Sequence, residues 1–325
     1  MSVPVSVIIP TFNRAHLLGE AIESCLHQRI RGLEVVVIDD ASTDPIDHIL
    51  NRYGQQIRGL RLDTNVGANE ARNSGMAIAC GKYLKFLDSD DVLADSALVE
   101  ELRIAEHTLA DMVVSGWGEL HLDAVGKEIA DTRTTFPAPS MEPVVDAVLA
   151  GRAVPMSAVL YRATYLSGMR WDPDIPKLQD WDWFCRAALR NGRIVSRRDG
   201  VSFWLRHHTG PRATDATMHT NAIAHHHCLK NIEGILRKGG DLTAGRSQRL
   251  AQYYYKELRV LKRFDAERFE WALNHIFELD PGFIPVDEER NAVLRFLART
   301  VGVERALNLY GKAKWVEHWW KGSSD

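Results

Sequence analysis

Along the first third of the chain, apolar residues come in short continuous runs, separated by stretches where they recur every three or four positions. Val3–Pro10 (VPVSVIIP) and Glu34–Ile38 (EVVVI) are apolar almost throughout and rich in β-branched residues. That is the pattern of strands covered on both faces in a parallel sheet. Between them, Leu18, Ile22 and Leu26 fall on one face of a helix that Asn13 is placed to cap. Asp44-Pro45 reads as a cap followed by proline in the first turn of the next helix. Ile57–Leu62 is a weaker strand, Asn69–Cys80 a helix that stops at Gly81, Tyr83–Leu87 a strand, Asp95–Thr108 a helix and Asp111–Ser115 a strand. Strand and helix alternate at βαβ spacing to about Ser115, which predicts an α/β fold with an open, mainly parallel sheet flanked by helices.

Beyond residue 120 the pattern loosens. His121–Pro139 reads as an exposed hairpin or loop and Ser140–Gly151 as a short capped helix. Ser157–Tyr161 and Val201–Leu205 read as strands, and Asp180–Leu189 as a helix with Phe184, Cys185 and Ala188 inward. From about Asp215 the periodicity is helical: Asn221–Leu236, Ser247–Arg263, Ala266–Phe277, Glu288–Thr300 and Glu304–Trp320. The expected organisation is therefore a first domain over 1–214, in halves 1–120 and 121–214, and a mostly helical C-terminal region over 215–325.

Composition narrows the function classes. The 325 residues are 45% hydrophobic and 26% charged with a formal net charge of -3, as in an ordinary globular protein with no global field to recruit nucleic acid. The four cysteines are scattered with no CxxC pair, which argues against a zinc site or a disulfide framework and fits a reducing compartment. No basic, signal-like leader is evident, and no run approaches the roughly 20 apolar residues that span a bilayer. A cytoplasmic enzyme or binding protein is the expectation.

The most informative polar stretch is Phe86-Leu87-Asp88-Ser89-Asp90-Asp91, directly after a predicted strand. Side chains two apart on an extended segment point the same way, so Asp88 and Asp90 can reach one divalent cation while Asp91 braces the turn. Hard oxygen ligands suit Mg²⁺ or Mn²⁺. The plainer reading is a solvated turn or a helix cap. Asp39-Asp40 follow the second strand, so both acidic groups fall at carboxyl ends of strands, where open α/β sheets gather ligands. Neither GxGxxG nor GxxxxGK[ST] occurs, so carboxylates acting through a metal would have to handle phosphates.

VSVIIPTFNR (Val5–Arg14), VVVIDDASTD (Val35–Asp44), NVGANEARNSG (Asn65–Gly75) and YLKFLDSDD (Tyr83–Asp91) together resemble the family 2 glycosyltransferases, the inverting group built on the GT-A nucleotide-diphospho-sugar fold. Gln179-Asp180-Trp181-Asp182 with Arg186 resembles that family's E-D-W-D-x-x-x-R segment, and Arg206-His207-His208 its R-x-H segment. The resemblance implies that Pro10, Thr11 and Asn13 line the nucleotide pocket, that Asp40 accepts a hydrogen bond from base or ribose, and that Asp39 supports it. It implies that Arg72 approaches the ribose or diphosphate. Asp88-x-Asp90 becomes the DxD motif, with Ser89 beside the nucleotide sugar, Asp90 as direct metal ligand and Asp88 shared between ribose and metal. Asp180 becomes the general base and His208 a further metal or phosphate contact. Gln179 departs from the usual Glu and removes one negative charge beside that base.

The implied activity is transfer of a sugar from a nucleotide-diphospho-sugar, a UDP-sugar foremost, to a hydroxyl of a carbohydrate or lipid-linked glycan, with Mn²⁺ or Mg²⁺ as cofactor. The alternatives left open are a nucleotide-sugar-binding protein without turnover and a sugar nucleotidyltransferase on a related fold. His225-His226-His227 is not expected to chelate, because consecutive helical residues splay around the axis. Trp117, Trp181, Trp183 and Trp204 are candidates for sugar stacking, with one or two expected to face an acceptor. Trp315, Trp319 and Trp320 among Lys312, Lys314 and Lys321 suit a homodimer contact or peripheral contact with the inner face of a membrane.

Overall fold

The structure is a computed structural model that describes residues 3–123, 128–129, 132–206, 218–283, 285 and 305. It divides into two compact units, Met1–Ala216 and Thr217–Asp325. The first is built on one sheet. In chain order its strands are β1 (Val5–Thr11), β2 (Glu34–Asp39), β3 (Arg58–Arg61), β4 (Tyr83–Phe86), β5 (Asp91–Leu93), β6 (Met112–His121), β7 (Thr134–Phe136), β8 (Val159–Arg162) and β9 (Ile194–Arg206). Its helices are α1 (Ala15–Leu26), α2 (Ile46–Tyr53), α3 (Ala68–Ile78), α4 (Ala97–Thr108), α5 (Val144–Leu149) and α6 (Gln179–Ala188). The strand order is β3-β2-β1-β4-β8-β6-β9-β5, with β7 paired to β6.

The half formed by β3, β2, β1 and β4 is parallel, as expected of both-face-buried runs joined by helices. The other half is not. There, β8 runs antiparallel to both β4 and β6, and β9 runs parallel to β6 but antiparallel to β5. The sheet is therefore mixed rather than mainly parallel. The cause lies beyond residue 115, where β6 runs on through Gly116 and Gly118 to His121 and β9 begins at Ile194, seven residues before the strand expected there. Polar and glycine positions in both segments hide the apolar alternation that marks a strand. Asp91, expected to brace a turn, opens β5 instead.

One face of the sheet packs Val7, Ile9, Val37 and Val113 against Leu18 and Ile22 of α1, Ile46 of α2 and Leu98 of α4. This face also buries a charge: Lys85 of β4 and Glu101 of α4 are both fully enclosed and meet at 2.5 Å, with the Ser115 hydroxyl donating to the second Glu101 oxygen at 2.8 Å. The opposite face receives α3. A Cβ at Gly75 would lie 2.4 Å from Ile8 Cγ2, so only glycine lets α3 approach this closely. Trp171, Trp183, Phe86 and Tyr161 complete that side, the two indoles stacked at 4.4 Å and 4°. Trp183 is fully buried core and does not face an acceptor.

Caps differ from the sequence expectation at both early helices. Asn13 does not cap α1; its Oδ1 accepts the backbone N–H groups of Thr43 (2.7 Å) and Asp44 (3.3 Å). Asp44 caps α1 rather than its own helix, its Oδ2 accepting the Ala15 N–H at 2.8 Å. The two loops therefore brace each other at the carboxyl end of β1 and β2.

In the second unit the described helices are α7 (Met218–Gly239), α8 (Ala244–Phe264) and α9 (Ala266–Leu279). Their interior centres on Glu233, which accepts from Arg237 Nε (2.6 Å), Tyr254 Oη (3.0 Å) and His275 Nε2 (2.8 Å). The helices expected over 288–300 and 304–320, with the tail tryptophans and lysines, fall outside the described residues but for Arg305. Among the described residues no helix is long and apolar enough to cross a membrane.

Candidate active site

Strand ends of the parallel half bring the first group of candidate residues together. Thr11 closes β1 and pairs with Asp39 of β2, and its carbonyl accepts the Asp40 N–H at 2.9 Å. Thr11 is 3% exposed and its hydroxyl has no partner among the described residues, a buried polar atom turned to the carboxyl end of the sheet. Pro10 lies under it in β1, and Asn13, at φ +53°, turns the chain out beside it.

Asp39 and Asp40 have distinct duties. The Asp39 carboxylate is fully buried; it accepts the Ser42 N–H at 3.0 Å and pairs with Arg61 Nη1 at 3.0 Å. Asp40 accepts the N–H groups of Val66 (2.8 Å) and Gly67 (2.9 Å) on its two oxygens. Asp40 thus holds the loop that starts α3, satisfying backbone donors at a helix N-terminus. Capping was expected of Asn13 and Asp44, and not of Asp40.

The loop after β4 carries the acidic group. Asp88 Oδ1 accepts from Arg72 Nη2 at 2.8 Å; the arginine side chain is 2% exposed and the aspartate side chain 37%. Arg72 also donates to Asn69 Oδ1 at 3.1 Å and lies 4.6 Å over the Trp171 ring. Arg72 is therefore a buried cation beneath the acidic loop rather than an arm reaching toward a phosphate. Two amides of α3 fix the Trp171 segment: Asn73 exchanges hydrogen bonds with the Trp171 backbone at 2.8 and 2.9 Å, and Asn69 donates to the carbonyls of Asp172 and Ile175. Trp171 lies in no motif of the sequence reading, and Asn69 lies in the Asn65–Gly75 motif without a role of its own, because what makes both matter is tertiary contact with Arg72.

Ser89 is buried beside Asp88, and Asp90 lies 3.9 Å from Arg14 Nε with its side chain 30% exposed. Asp91 is buried, and its carboxyl is pushed well up, first by burial and then by the Asp88 and Asp90 charges. Asp180, in the first turn of α6, is raised by burial while Arg72 and the Met156 backbone N–H pull it down. Asp88 is raised to about 6: burial leads, Asp180 and Asp90 add to it, and Arg72 opposes. Four carboxylates thus converge on a loop whose buried cation is Arg72. Further along α6, Asp182 pairs with Arg186 at 2.7 Å, an i,i+4 bond that stiffens the helix bearing Asp180.

Among the described residues no group of three or more His, Cys, Asp or Glu forms a ready metal cage. The donor chemistry nevertheless fits Mn²⁺ or Mg²⁺. Such ions need only one or two carboxylates alongside water and phosphate oxygens, and the mutual repulsion that raises Asp88 is what a cation would relieve. His208 lies outside the described residues, while Arg206, two before it, ion-pairs with Glu119.

Residues 6–123 match the model of the family described as glycosyl transferase family 2. An uncharacterized glycosyltransferase of Haemophilus influenzae is 39% identical over 106 residues, 31% of this chain and 42% of that protein. The glycosyltransferase GlyG of Streptococcus pneumoniae is 30% identical over 120 residues, 36% of this chain and 40% of that protein. The Staphylococcus aureus poly(ribitol-phosphate) β-N-acetylglucosaminyltransferase TarP is 34% identical over 119 residues, 35% and 36% of the two chains. The matches thus span about two fifths of these relatives. Residues 1–349 of S. aureus TarS, in complex with UDP-GlcNAc, share the fold with a TM-score of 0.66 at 19% identity, over 96% of this chain and 92% of that one.

Proposed function

We propose that this chain, which carries a family 2 glycosyltransferase domain matched over residues 6–123 on a GT-A fold, moves a sugar from a nucleoside-diphospho-sugar to an acceptor hydroxyl with inversion at the anomeric carbon. The observation that carries this reading is the acidic loop Asp88–Asp91 after β4, whose Asp88 is bonded at 2.8 Å by the buried Arg72 of α3. A UDP-sugar is the donor we favour, because the TarS structure of the same fold holds UDP-GlcNAc and the relative TarP transfers N-acetylglucosamine. The acceptor we favour is a carbohydrate or lipid-linked glycan.

In this scheme Thr11, with Pro10 and Asn13 beside it, receives the nucleoside through its unpartnered hydroxyl. Asp39 and Asp40 keep the neighbouring loops in place. Asp88 and Asp90 would hold the divalent cation, with Ser89 contacting the nucleotide sugar and His208 the further contact that the family resemblance implies. When bound, that ion supplies Lewis-acid neutralisation of the diphosphate leaving group. Asp180 takes the proton of the acceptor hydroxyl as the new bond to the anomeric carbon forms and the bond to the diphosphate oxygen breaks. A carboxyl raised by partial burial suits that work, since its proton affinity lies closer to the working pH. Arg72 opposes the rise of both Asp180 and Asp88.

Calorimetric titration with UDP, GDP, dTDP and CDP, each with and without Mn²⁺, tests the reading. Tight binding of one nucleotide that depends on the metal, abolished by Asp90→Ala, is the expected result. Binding of none, or binding unchanged in Asp90→Ala, would overturn the site assignment.

A further inference from the structure

The strand that follows the acidic loop pairs its way to three aromatic rings that the scheme above leaves unused. Asp91 of β5 pairs with Trp204 of β9, and Trp204 pairs with Glu119 of β6. Trp117, two residues before Glu119, pairs with Phe136 of β7. Paired residues and residues two apart share a face, so Asp91, Trp204, Glu119, Trp117 and Phe136 all project from one side. The alternate residues Leu120, Phe203 and Leu205 project from the other and form an apolar cluster with Leu122, against which Val92 packs. Asp91 follows Asp90 directly and its N–H donates to the Asp88 carbonyl at 3.1 Å, so the strand paired with Trp204 starts at the acidic loop itself.

On that side the Trp117 ring stacks on Phe136 at 4.3 Å and 27° and meets Trp204 at 4.6 Å. The Arg206 guanidinium sits 5.1 Å over Trp204 and donates to Glu119. Phe136 is 37% exposed, and both indoles are half-buried. The sheet order sets this group apart from the nucleotide end: β1 and β2 lie on one side of β4, whereas β6, β9 and β5 lie on the other. The loop holding Asp88 and Asp90 links β4 to β5 and so joins the two halves.

We infer that Trp117, Trp204 and Phe136 form the platform on which a sugar ring of the acceptor lies, with Glu119 and Arg206 meeting its hydroxyls; this rests on the glycosyl-transfer reading above. A pyranose has an apolar C–H face and a rim of hydroxyl groups. Clustered aromatic faces bordered by one carboxylate and one guanidinium match that chemistry, whereas a lipid chain could offer that border no hydrogen bond.

The test is to saturate the full chain with Mn²⁺ and the nucleoside diphosphate it binds, then titrate cellotetraose, chitotetraose, mannotetraose and galactotetraose while following tryptophan fluorescence and heat. At least one oligosaccharide is expected to bind, and Trp117→Leu and Trp204→Leu are each expected to weaken it about tenfold. Trp204→Phe, which keeps a ring, should restore most of the loss, separating stacking from general damage to the strand. Nucleotide affinity should stay within about twofold in every variant, since none of these rings borders the nucleotide end. Nucleotide binding without any oligosaccharide binding, or oligosaccharide binding undiminished in both leucine variants, overturns the platform and leaves the transferase reading standing. Failure of every nucleotide to bind the unsubstituted chain overturns that reading instead.

Discussion

Arg72 and Asp88 form an ion pair at 2.8 Å in which the cation is sealed from water and the carboxylate is not. The pair is a charge clamp: one guanidinium beneath the loop offsets part of the repulsion among Asp88, Asp90 and Asp180. Its planar shape is used three ways, on Asp88, on Asn69 and flat over Trp171. Lysine keeps the charge but has neither the fork nor the plane. Arg72→Lys is therefore expected to lower kcat/KM for transfer by about ten- to a hundredfold. Because Asp88 is 37% exposed and can rehydrate, the stability loss should stay near 1 kcal/mol rather than reach that of a fully buried pair. Steady-state kinetics with a denaturant titration reads both, and a wild-type rate in Arg72→Lys would contradict the clamp.

Asp180→Asn keeps the shape of the side chain and removes its ability to take a proton. A general base typically contributes about 10²- to 10⁴-fold in rate, so under the role proposed for Asp180 kcat should fall by that factor. Nucleotide affinity with Mn²⁺ should change little, because Asp180 sits on α6 whereas the proposed metal ligands follow β4. Parallel measurement of transfer and of nucleotide binding separates a transferase, which loses only the first, from a pure binding protein, which loses neither.

The parts of this fold that could be read in advance are those where local pattern and burial coincide. β1, β2 and β4 are buried on nearly every residue, so their apolar runs announce themselves. α6 showed its inner face through Phe184, Cys185 and Ala188, all buried. β5 did not, because three residues, Asp91–Leu93, carry no period, and its strand status comes from pairing with β9. In the site, the spacing of Asp88-x-Asp90 draws notice, but alone it reads as a turn or cap, and only the neighbouring motifs lend it the metal-binding expectation. The Trp171 ring under Arg72 and the two backbone bonds to Asp40 do not, since each joins segments that only the folded chain brings together.

Lys85 and Glu101 set the terms of a stability test. Both are 0% exposed and bonded at 2.5 Å, and burial alone pulls Lys85 down while Glu101 pulls it back up. Removing one partner strands a charge in the core. Lys85→Met alone should therefore cost about 3–5 kcal/mol, whereas Lys85→Met combined with Glu101→Leu should recover most of it. Ser115 then loses its acceptor, so the double variant should still fall short by about 1 kcal/mol. Chemical denaturation of the single and double variants decides this, and simple additivity of the two losses would rule out the pairing account.

His226 gives the C-terminal helices an acid sensitivity whose sign follows from its surroundings. The ring is 5% exposed, packed edge-on to Tyr254 and Trp271, and its Nδ1 has no partner among the described residues. Burial comes first, then Lys230 on its own helix and Arg268 on α9, with Asp265 opposing and His227 adding; together they hold its pKa near 4. In the unfolded chain the same ring titrates at its ordinary value of 6.5, so from 6.5 down to about 4 only the unfolded chain takes up the proton. Stability of this unit is therefore lost as pH falls through that window and regained as it rises. His275 works the other way. Glu233 and Glu278 hold its proton against burial, so its contribution is present below 6.5 and fades as pH climbs through its raised value. Glu233, held below its ordinary 4.5 by hydrogen bonds from His275 and Arg237 despite burial, adds a further loss only at more acid pH. Between pH 6.5 and 4.5 the His226 loss thus stands apart, and His226→Gln should flatten it while leaving the alkaline decline in place. Hydrogen exchange of α7 and α9 peptides, corrected for intrinsic rates, measures this locally without assuming two-state unfolding of the whole chain. Equal acid sensitivity in the parent and in His226→Gln would show that the buried ring is not its source.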